Sequence, residues 1–191
     1  VENDASNTGV YKGVFVGSTG ILTVYLKNGD NMVKAILKID GKIFTFTASG
    51  DVVKGQIIEG LKFMCPEGHS FKLNVLADGS AYSVTEILVA GHPNATVDLI
   101  KEKSNALVRC YEGTYVGTTE PTNKGVFNMV ISGGKIKGLA RSNDSQDTHT
   151  TWLMGQATDK NVAGTTSDQS YYSGKIEGDV ISGTWATSDQ S

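Results

Sequence analysis

The sequence predicts an all-β protein: an antiparallel up-and-down meander in two repeated units, each barrel-like or sandwich-like, with at most one short helix. Apolar and polar residues alternate in runs such as ILTVYL (21–26) and FKLNV (71–75), which is the pattern of half-buried strands. Dipeptides that suit tight hairpin turns separate such runs. YKGVFVGST (11–19) and YEGTYVGTT (111–119) share Tyr, Gly, Val, Gly and Thr at the same offsets, which indicates that the meander is built twice.

The chain begins with VENDASNTG, a polar and acidic stretch. This composition predicts a flexible, solvated leader over residues 1–9, either a simple chain end or a tether to an upstream signal sequence or lipid anchor. The first β unit is then predicted over residues 10–106 and the second over 107–191, with about six to eight strands in each.

Hairpins are predicted along both units. MVKAILKIDGKIFTFTASG (32–50) and VFNMVISGGKIKGLA (126–140) each indicate a strand, a two-residue turn and a second strand. Gly, Asn and Asp adopt the positive φ angles that such turns need, and short turns make consecutive strands neighbours in a sheet. The predicted turn dipeptides are Asn28-Gly29, Asp40-Gly41, Asp78-Gly79, Gly133-Gly134 and Gly178-Asp179.

The repeat extends beyond its opening motif. Phe71 aligns with Tyr171, and the turn at Asp78-Gly79 aligns with the turn at Gly178-Asp179. Duplication is favoured over chance similarity between glycine-rich β sequences, although the interiors of the two units match poorly.

Residues 84–110 have no counterpart in the second unit, which ends near the last residue of the chain. A short helix would place Leu99, Lys103 and Leu107 roughly on one face. Strand structure is favoured instead, because Val97 and Leu99 alternate with Asp98.

Composition bounds the classes of function. The 191 residues carry a net charge of -3 with scattered Lys and Arg, whereas nucleic-acid binding favours a clustered basic face. No long apolar run is present, so we expect no transmembrane segment. The 23 glycines suit many tight turns between short strands. We expect a folded monomer, and the scattered charge predicts no nucleic-acid partner.

Cys65 in FMCPEG and Cys110 in VRCYEG are a candidate disulfide. In the chain-entropy model a loop of this length would contribute about 4 kcal/mol to the free energy of unfolding. The alternative is two buried thiols that act as small hydrophobic side chains.

Candidate catalytic groups are few. His69, His92 and His149 all lie in or beside predicted turns, and Cys65 with His69 has the spacing of half a zinc site without a second pair. Turn formation explains the acids that neighbour glycine. No catalytic, cofactor-binding or metal-ligating residue is therefore assigned, and we expect a protein that is not an enzyme. The acids in question are Asp30, Asp40, Asp51, Asp78 and Asp179.

Aromatic residues are concentrated in the second unit. Exposed rings could stack on sugars or grip a partner, whereas buried rings fill a barrel, and burial is the favoured interpretation. Tyr171 and Tyr172 are adjacent, so on a strand one of them faces outward. The four residues are Trp152, Tyr171, Tyr172 and Trp185.

SGKIEGDVISGTW (173–185) and YEGTYVG (111–117) are similar to the Gly-Thr-Tyr and Gly-Thr-Trp strand ends of calycin-like and avidin-like barrels. They also resemble glycine-rich barrel units of exported bacterial lipoproteins. The resemblance implies an up-and-down barrel at an extracytoplasmic location: secreted, periplasmic or attached to the cell surface. It further implies, for some members, a lumenal site for a small apolar molecule. The biotin-contacting residues of the avidin family have no assigned counterpart here.

Three functions compete. The favoured one is a non-catalytic exported barrel that serves as a binding or surface-associated module, with a small molecule, a glycan or a protein as ligand. The second is a calycin-like carrier of a small apolar molecule, and the third is a hydrolytic enzyme. The short units and their large inward side chains predict little lumen. The residues that would line a carrier's lumen are Phe44, Phe46, Phe71 and Leu73.

Overall fold

The computed structural model describes residues 2–16, 20–144 and 150–187. Within these ranges the protein is all-β, with fifteen strands and no helix, so the predicted fold class is confirmed. In particular, none of the described residues forms a helix with the length and apolar character that a membrane crossing requires. The chain divides into two compact units, Val1–Val108 and Arg109–Ser191.

The first unit is an eight-stranded antiparallel sheet with the order β7-β6-β5-β4-β3-β2-β1-β8. β1 pairs with both β2 and β8, so the meander curls into a nearly closed barrel with β7 and β8 at its seam. The strands are β1 (Gly9–Val16), β2 (Gly20–Leu26), β3 (Val33–Ile39), β4 (Lys42–Ala48), β5 (Ile58–Met64), β6 (Ser70–Val75), β7 (Tyr82–Leu88) and β8 (Thr96–Lys101).

Large side chains fill the interior of the first barrel. Phe63 stacks on Phe71 with ring centroids 4.8 Å apart, and Phe46 lies 5.3 Å from the same ring. Phe46, Phe63 and Tyr11 are fully buried. A small barrel whose inward positions carry such side chains is a packed core. This agrees with the alternation of β2 and β6, whose apolar residues face inward.

The segment before β1 folds over one end of this barrel. Ser6, Asn7 and Thr8 are buried. The backbone N–H of Asn7 donates to the Ala77 carbonyl, in the β6–β7 connection, at 3.0 Å. The sequence predicts a solvated leader over residues 1–9, and the structure differs because these polar groups find partners in the loops. Whether the segment is flexible stays a prediction.

Lys101 lies beneath this segment and is buried. Its ammonium donates to the Ser6 carbonyl and sits 5.4 Å from the centre of the Tyr11 ring. Burial lowers the pKa of Lys101, because the charged form loses its hydration. The Tyr11 hydroxyl in turn donates to the Asn7 carbonyl at 2.9 Å, so the barrel end is closed by a polar network.

Replacing Asn7 by alanine is expected to lower the free energy of unfolding by about 3 kcal/mol, because backbone groups are left without partners. The Asn7 side-chain amide donates to the Val53 and Gln56 carbonyls at 2.9 and 2.8 Å and accepts from the Gly55 N–H at 2.9 Å. Urea denaturation followed by circular dichroism measures the change. Asn31→Ala, at an exposed turn, is the matched control, and equal losses in the two variants would contradict the prediction.

The second unit is a seven-stranded antiparallel meander with the order β15-β14-β13-β12-β11-β10-β9. Its sheet also curls into a nearly closed barrel, and the Tyr115 ring on β9 meets the Trp185 ring on β15 edge-on at 6.0 Å. The strands are β9 (Val108–Val116), β10 (Lys124–Ser132), β11 (Lys135–Ser142), β12 (Thr150–Ala157), β13 (Asn161–Thr166), β14 (Tyr171–Glu177) and β15 (Val180–Ala186).

Glycines cross the second sheet in a diagonal row, and Gly155 lies directly opposite Gly164. A Cβ on either residue would overlap the neighbouring strand's backbone and approach the Tyr172 hydroxyl to 2.7 or 2.6 Å. Glycine at these positions lets the strands approach and bend closely. The ring of Tyr172 fills the space that the missing side chains leave. The row is Gly138, Gly155, Gly164, Gly174 and Gly183.

The repeated motif occupies the first strand of each barrel. Tyr11 on β1 and Tyr111 on β9 are both buried. The aligned pair Phe71 and Tyr171 lies on the sixth strand of each unit, but Phe71 is buried whereas Tyr171 is 62% exposed. Tyr172 points inward in place of its neighbour. The two-unit barrel architecture is therefore present, with the side-chain alternation displaced by one residue on that strand.

The predicted turns separate strands as expected. Asp40-Gly41 joins β3 to β4 and Gly133-Gly134 joins β10 to β11. Asp40 and Gly41 both have positive φ, 51° and 70°, as primed hairpin turns require. Residues 84–110 contain the end of β7, all of β8 and the start of β9, which confirms the strand interpretation over the helix.

Candidate binding face of the second unit

Two of the three histidines, His69 and His92, make contacts within the first barrel. His69 is buried, packs edge-on against Phe44 at 4.5 Å, and its Nδ1 accepts a hydrogen bond from the Ala90 N–H at 3.4 Å. His92 Nε2 lies 2.9 Å from Asp40 Oδ2, so it ties two connections together. His149 lies outside the described residues. Each described histidine is thus held by contacts within the first unit.

Cys65 and His69 share one turn, in which the Cys65 N–H donates to the His69 carbonyl at 3.1 Å. Burial, with a further contribution from Glu67, raises the pKa of the Cys65 thiol, which disfavours the thiolate that a nucleophile or metal ligand needs. No three His, Cys, Asp or Glu side chains come together for a metal ion in the part of the chain that the structure describes.

The two candidate disulfide residues occupy different units. Cys65 is buried directly after β5 in the first unit, and Cys110 is half-buried on β9 in the second. The described residues include both, and no bond joins them. Pairing under oxidising conditions stays a prediction.

Three large apolar side chains project from the outer side of the second barrel. Trp152 and Met154 on β12 are 51% and 54% exposed, and Tyr171 on β14 is 62% exposed. Met154 pairs with Thr165, and Thr165 pairs with Tyr171, so all three lie on one face of the sheet. We call Trp152, Met154 and Tyr171 the apolar face.

Sheet geometry sets the spacing of the apolar face. Tyr171 lies two strands away from Met154, or about 10 Å across the sheet. Trp152 lies two residues along β12 from Met154, or about 7 Å. A ligand that contacts both rings therefore has to be longer than a single ring.

A shallow depression of about 660 Å³ runs over the same face and is open to solvent. Met154 and Tyr171 of the apolar face border it. The Thr165 hydroxyl lies between them, and the Gln156 amide lies beside Met154 on β12. Side chains of this kind donate and accept hydrogen bonds at once. The lining residues are Met154, Gly155, Gln156, Ala163, Gly164, Thr165, Tyr171 and Tyr172. A smaller depression of about 230 Å³ lies over residues 51–61 of the first unit.

Basic side chains flank the apolar face along β11. Lys137 lies opposite Met154, Lys135 opposite Gln156, and Arg141 opposite Thr150. All three are exposed, and none pairs with an acid among the described residues. We call Lys135, Lys137 and Arg141 the basic row.

Two titratable groups near this face, Tyr172 and Asp168, have pKa values that their surroundings shift. Burial raises the pKa of Tyr172 to about 12, and its hydroxyl, beneath the depression, has no hydrogen-bond partner among the described residues. Asp168 lies in the β13–β14 turn, where burial acts to raise its pKa. Hydrogen bonds from the Thr166 hydroxyl and the Ser170 N–H outweigh burial and hold that pKa below its usual range. Asp168 is therefore an ionised turn residue.

Sequence reasoning missed the apolar face. Burial was the favoured interpretation for Trp152 and Tyr171, and both are exposed. Trp185 packs against Tyr115 but remains 37% exposed. Tyr172 points inward and Tyr171 outward, which agrees with the expectation that one of these two adjacent residues faces the solvent. The signal that could have found the face is the run TTWLMGQA of β12, in which Trp152 and Met154 alternate with Leu153.

Comparison of the chain with protein-family models, with curated proteins and with solved structures finds no match in any of the three. The resemblance to calycin-like and avidin-like barrels therefore stays a prediction.

Proposed function

We propose that the protein is a non-catalytic binding module that holds a carbohydrate chain on the apolar face of its second unit. The observation that carries the proposal is the exposure of two aromatic rings and Met154 on one face, beside an open, mostly apolar depression whose lining includes Gln156 and Thr165. We propose with it that the protein is located outside the cytoplasm, because carbohydrate chains are exposed at cell surfaces.

The chemistry of sugars suits this surface. A pyranose ring has apolar C–H faces and a rim of hydroxyl groups, so it packs flat on an indole or phenol ring. Thr165, between Met154 and Tyr171, and Gln156, beside Met154 on β12, supply donors and acceptors for the hydroxyl rim. Contact with both Trp152 and Tyr171 favours a chain of several sugars over a monosaccharide.

A protein partner has less support. Specific protein interfaces bury about 800 Å² on each partner around a large dry centre. The apolar face has only three large apolar side chains, and two of them border an open depression whose lining also includes Gln156 and Thr165. A narrow, hydroxyl-rich chain matches that shape better than a broad protein surface does.

The carrier and enzyme hypotheses have less support than the binding module. Phe46, Phe71 and Leu73, which would line a carrier's lumen, are packed against one another or their neighbours in the core of the first barrel. An enzyme would need an activated group, whereas the pKa of Cys65 is raised and His69 is held by Phe44 and Ala90.

Replacing Trp152 by alanine is expected to weaken carbohydrate binding about tenfold, because loss of a stacked ring costs about 1.5 kcal/mol. Affinity electrophoresis through gels that contain neutral or acidic polysaccharides measures the retardation, and Tyr171→Ala should act in the same direction. The matched control is Tyr25→Ala, which removes a half-buried ring from the first unit. The proposal is overturned if no polysaccharide retards the wild-type protein, or if Trp152→Ala and Tyr25→Ala migrate alike.

A further inference from the structure

We infer that the ligand of the apolar face is an acidic carbohydrate chain, whose carboxylate or sulfate groups are held by the basic row while its sugar rings stack on Trp152 and Tyr171. This inference rests on the proposed function. It adds the charge of the ligand, which the apolar face alone does not specify.

The register of β11 and β12 places the two features side by side. Lys137 is directly opposite Met154, and Leu139, which is on the same side of β11 but buried, is directly opposite Trp152. Neighbouring strands are about 5 Å apart, so the ammonium groups of Lys135 and Lys137 on β11 can reach the edge of a sugar ring that is bound over β12. The charges therefore run alongside the stacking positions.

The charge of the whole face has one dominant sign. On the outward side of β11 to β15, the basic row and Lys175 supply four cations, and Glu177 is the acidic side chain that these strands place there. The ionised Asp168 lies in the β13–β14 turn, next to Ser167, whose hydroxyl accepts from the Trp152 N–H, so cations outnumber acids four to two. Glu177 lies opposite Val180, at the opposite end of β14 from Tyr171. The chain as a whole has a net charge of -3, so this cationic face departs from the average. Charge complementarity thus favours an anionic ligand.

The cations of the basic row are available for a ligand. Lys12, Lys27, Lys54 and Lys72 of the first unit each have an ion-pair partner. Lys135, Lys137 and Arg141 have none among the described residues. At physiological ionic strength the Debye length is about 8 Å, so a ligand charge one strand away is still attracted.

A nucleic acid has less support on the same face. Proteins that bind single strands track the phosphate backbone with a basic groove, and they stack each base on a ring. Here one strand carries three cations, and two rings stand on either side of Thr165. The Thr165 hydroxyl between the rings and the Gln156 amide beside Met154 match the rim of a sugar better than the plane of a base.

The test compares two chains that differ only in charge: polygalacturonate and its fully methyl-esterified form. Isothermal titration calorimetry of the whole protein should give about tenfold tighter binding to polygalacturonate. The double variant Lys135→Glu/Lys137→Glu should lose about tenfold or more of that affinity, with affinity for the methyl ester changed less than about twofold. Trp152→Ala should weaken binding to both chains.

The control is Lys42→Glu/Lys62→Glu, which makes the same change in net charge at exposed positions of the first unit. It should leave both affinities unchanged, because the inference concerns local charge. Thermal unfolding followed by circular dichroism shows that each variant is folded.

The outcomes separate the two proposals. Equal affinity for the two chains, with no effect of Lys135→Glu/Lys137→Glu, overturns the acidic ligand and leaves the carbohydrate face standing. Absence of binding to polygalacturonate also overturns the inference. If Trp152→Ala changes neither affinity, both the acidic ligand and the proposed carbohydrate-binding function are overturned. Tighter binding to poly(dT) than to polygalacturonate would assign the face to nucleic acid instead.

Discussion

Replacing Gly13 by alanine is expected to destabilise the first barrel by about 3 kcal/mol, a large part of the stability of a typical domain. Gly13 lies on β1 opposite Leu99 of β8. A Cβ at this position would overlap the Asp98 carbonyl oxygen and lie 2.8 Å from the Leu99 Cα. Backbone atoms cannot rotate away as a side chain does, so β1 and β8 have to separate.

Hydrogen exchange measured by mass spectrometry reports this separation directly, as faster exchange in peptides that contain β1 or β8. Gly50→Ala is the matched control, because a Cβ there would meet only Leu61 Cδ1 at 3.6 Å, an ordinary contact. We expect it to be neutral or slightly stabilising. Unchanged exchange at β1 and β8 in Gly13→Ala would show that the prediction is wrong.

Replacing Phe63 by alanine is expected to lower the free energy of unfolding by about 3–5 kcal/mol, through lost burial and the cavity left behind. Phe63 is fully buried, and its ring lies parallel to that of Phe71, with an interplanar angle of 5°. Urea denaturation followed by far-ultraviolet circular dichroism measures the change.

Met64→Ala is the control for this variant, because Met64 is the next residue on β5 and is 44% exposed. Its loss should be under about 1 kcal/mol. A similar small loss in Phe63→Ala would mean that the interior of the barrel rearranges to fill the space, contrary to a packed core.

Much of the fold could be predicted from local patterns. The alternation of ILTVYL places Leu22, Val24 and Leu26 inward on β2, as the structure shows. Asp40-Gly41 turns the chain between β3 and β4 because both residues adopt positive φ. Such signals lie within a few residues of one another, so a single sequence reveals them.

Other features depend on contacts between distant residues. Asn7 is buried because groups near residues 53–56 accept and donate to its side chain, and nothing in VENDASNTG indicates those partners. Tyr172 and not Tyr171 points inward, because the space over Gly155 and Gly164 lies on that side of the sheet. Sequence alternation showed that the two rings differ, but it did not show which one is outside.

The candidate site could not be predicted for the same reason. An aromatic residue on a strand faces either the core or the solvent, and its identity alone favours the core. The basic row becomes visible only when the register places Lys137 beside Met154 and Lys135 beside Gln156. In the sequence these lysines are scattered members of an acidic chain.

The number of strands in each barrel has a practical consequence for protein engineering. Eight is an even number, so the first unit begins and ends at the same end of its sheet, where the Glu102 N–H donates to the Val10 carbonyl at 2.8 Å. A short linker can therefore join the two ends, and new termini can be opened in the exposed turn at Gly41 without cutting a strand. The second unit has seven strands, so its chain enters at one end of the sheet and leaves at the other. Circular permutation thus suits the first barrel and not the second, which is better used as a spacer between two fused proteins.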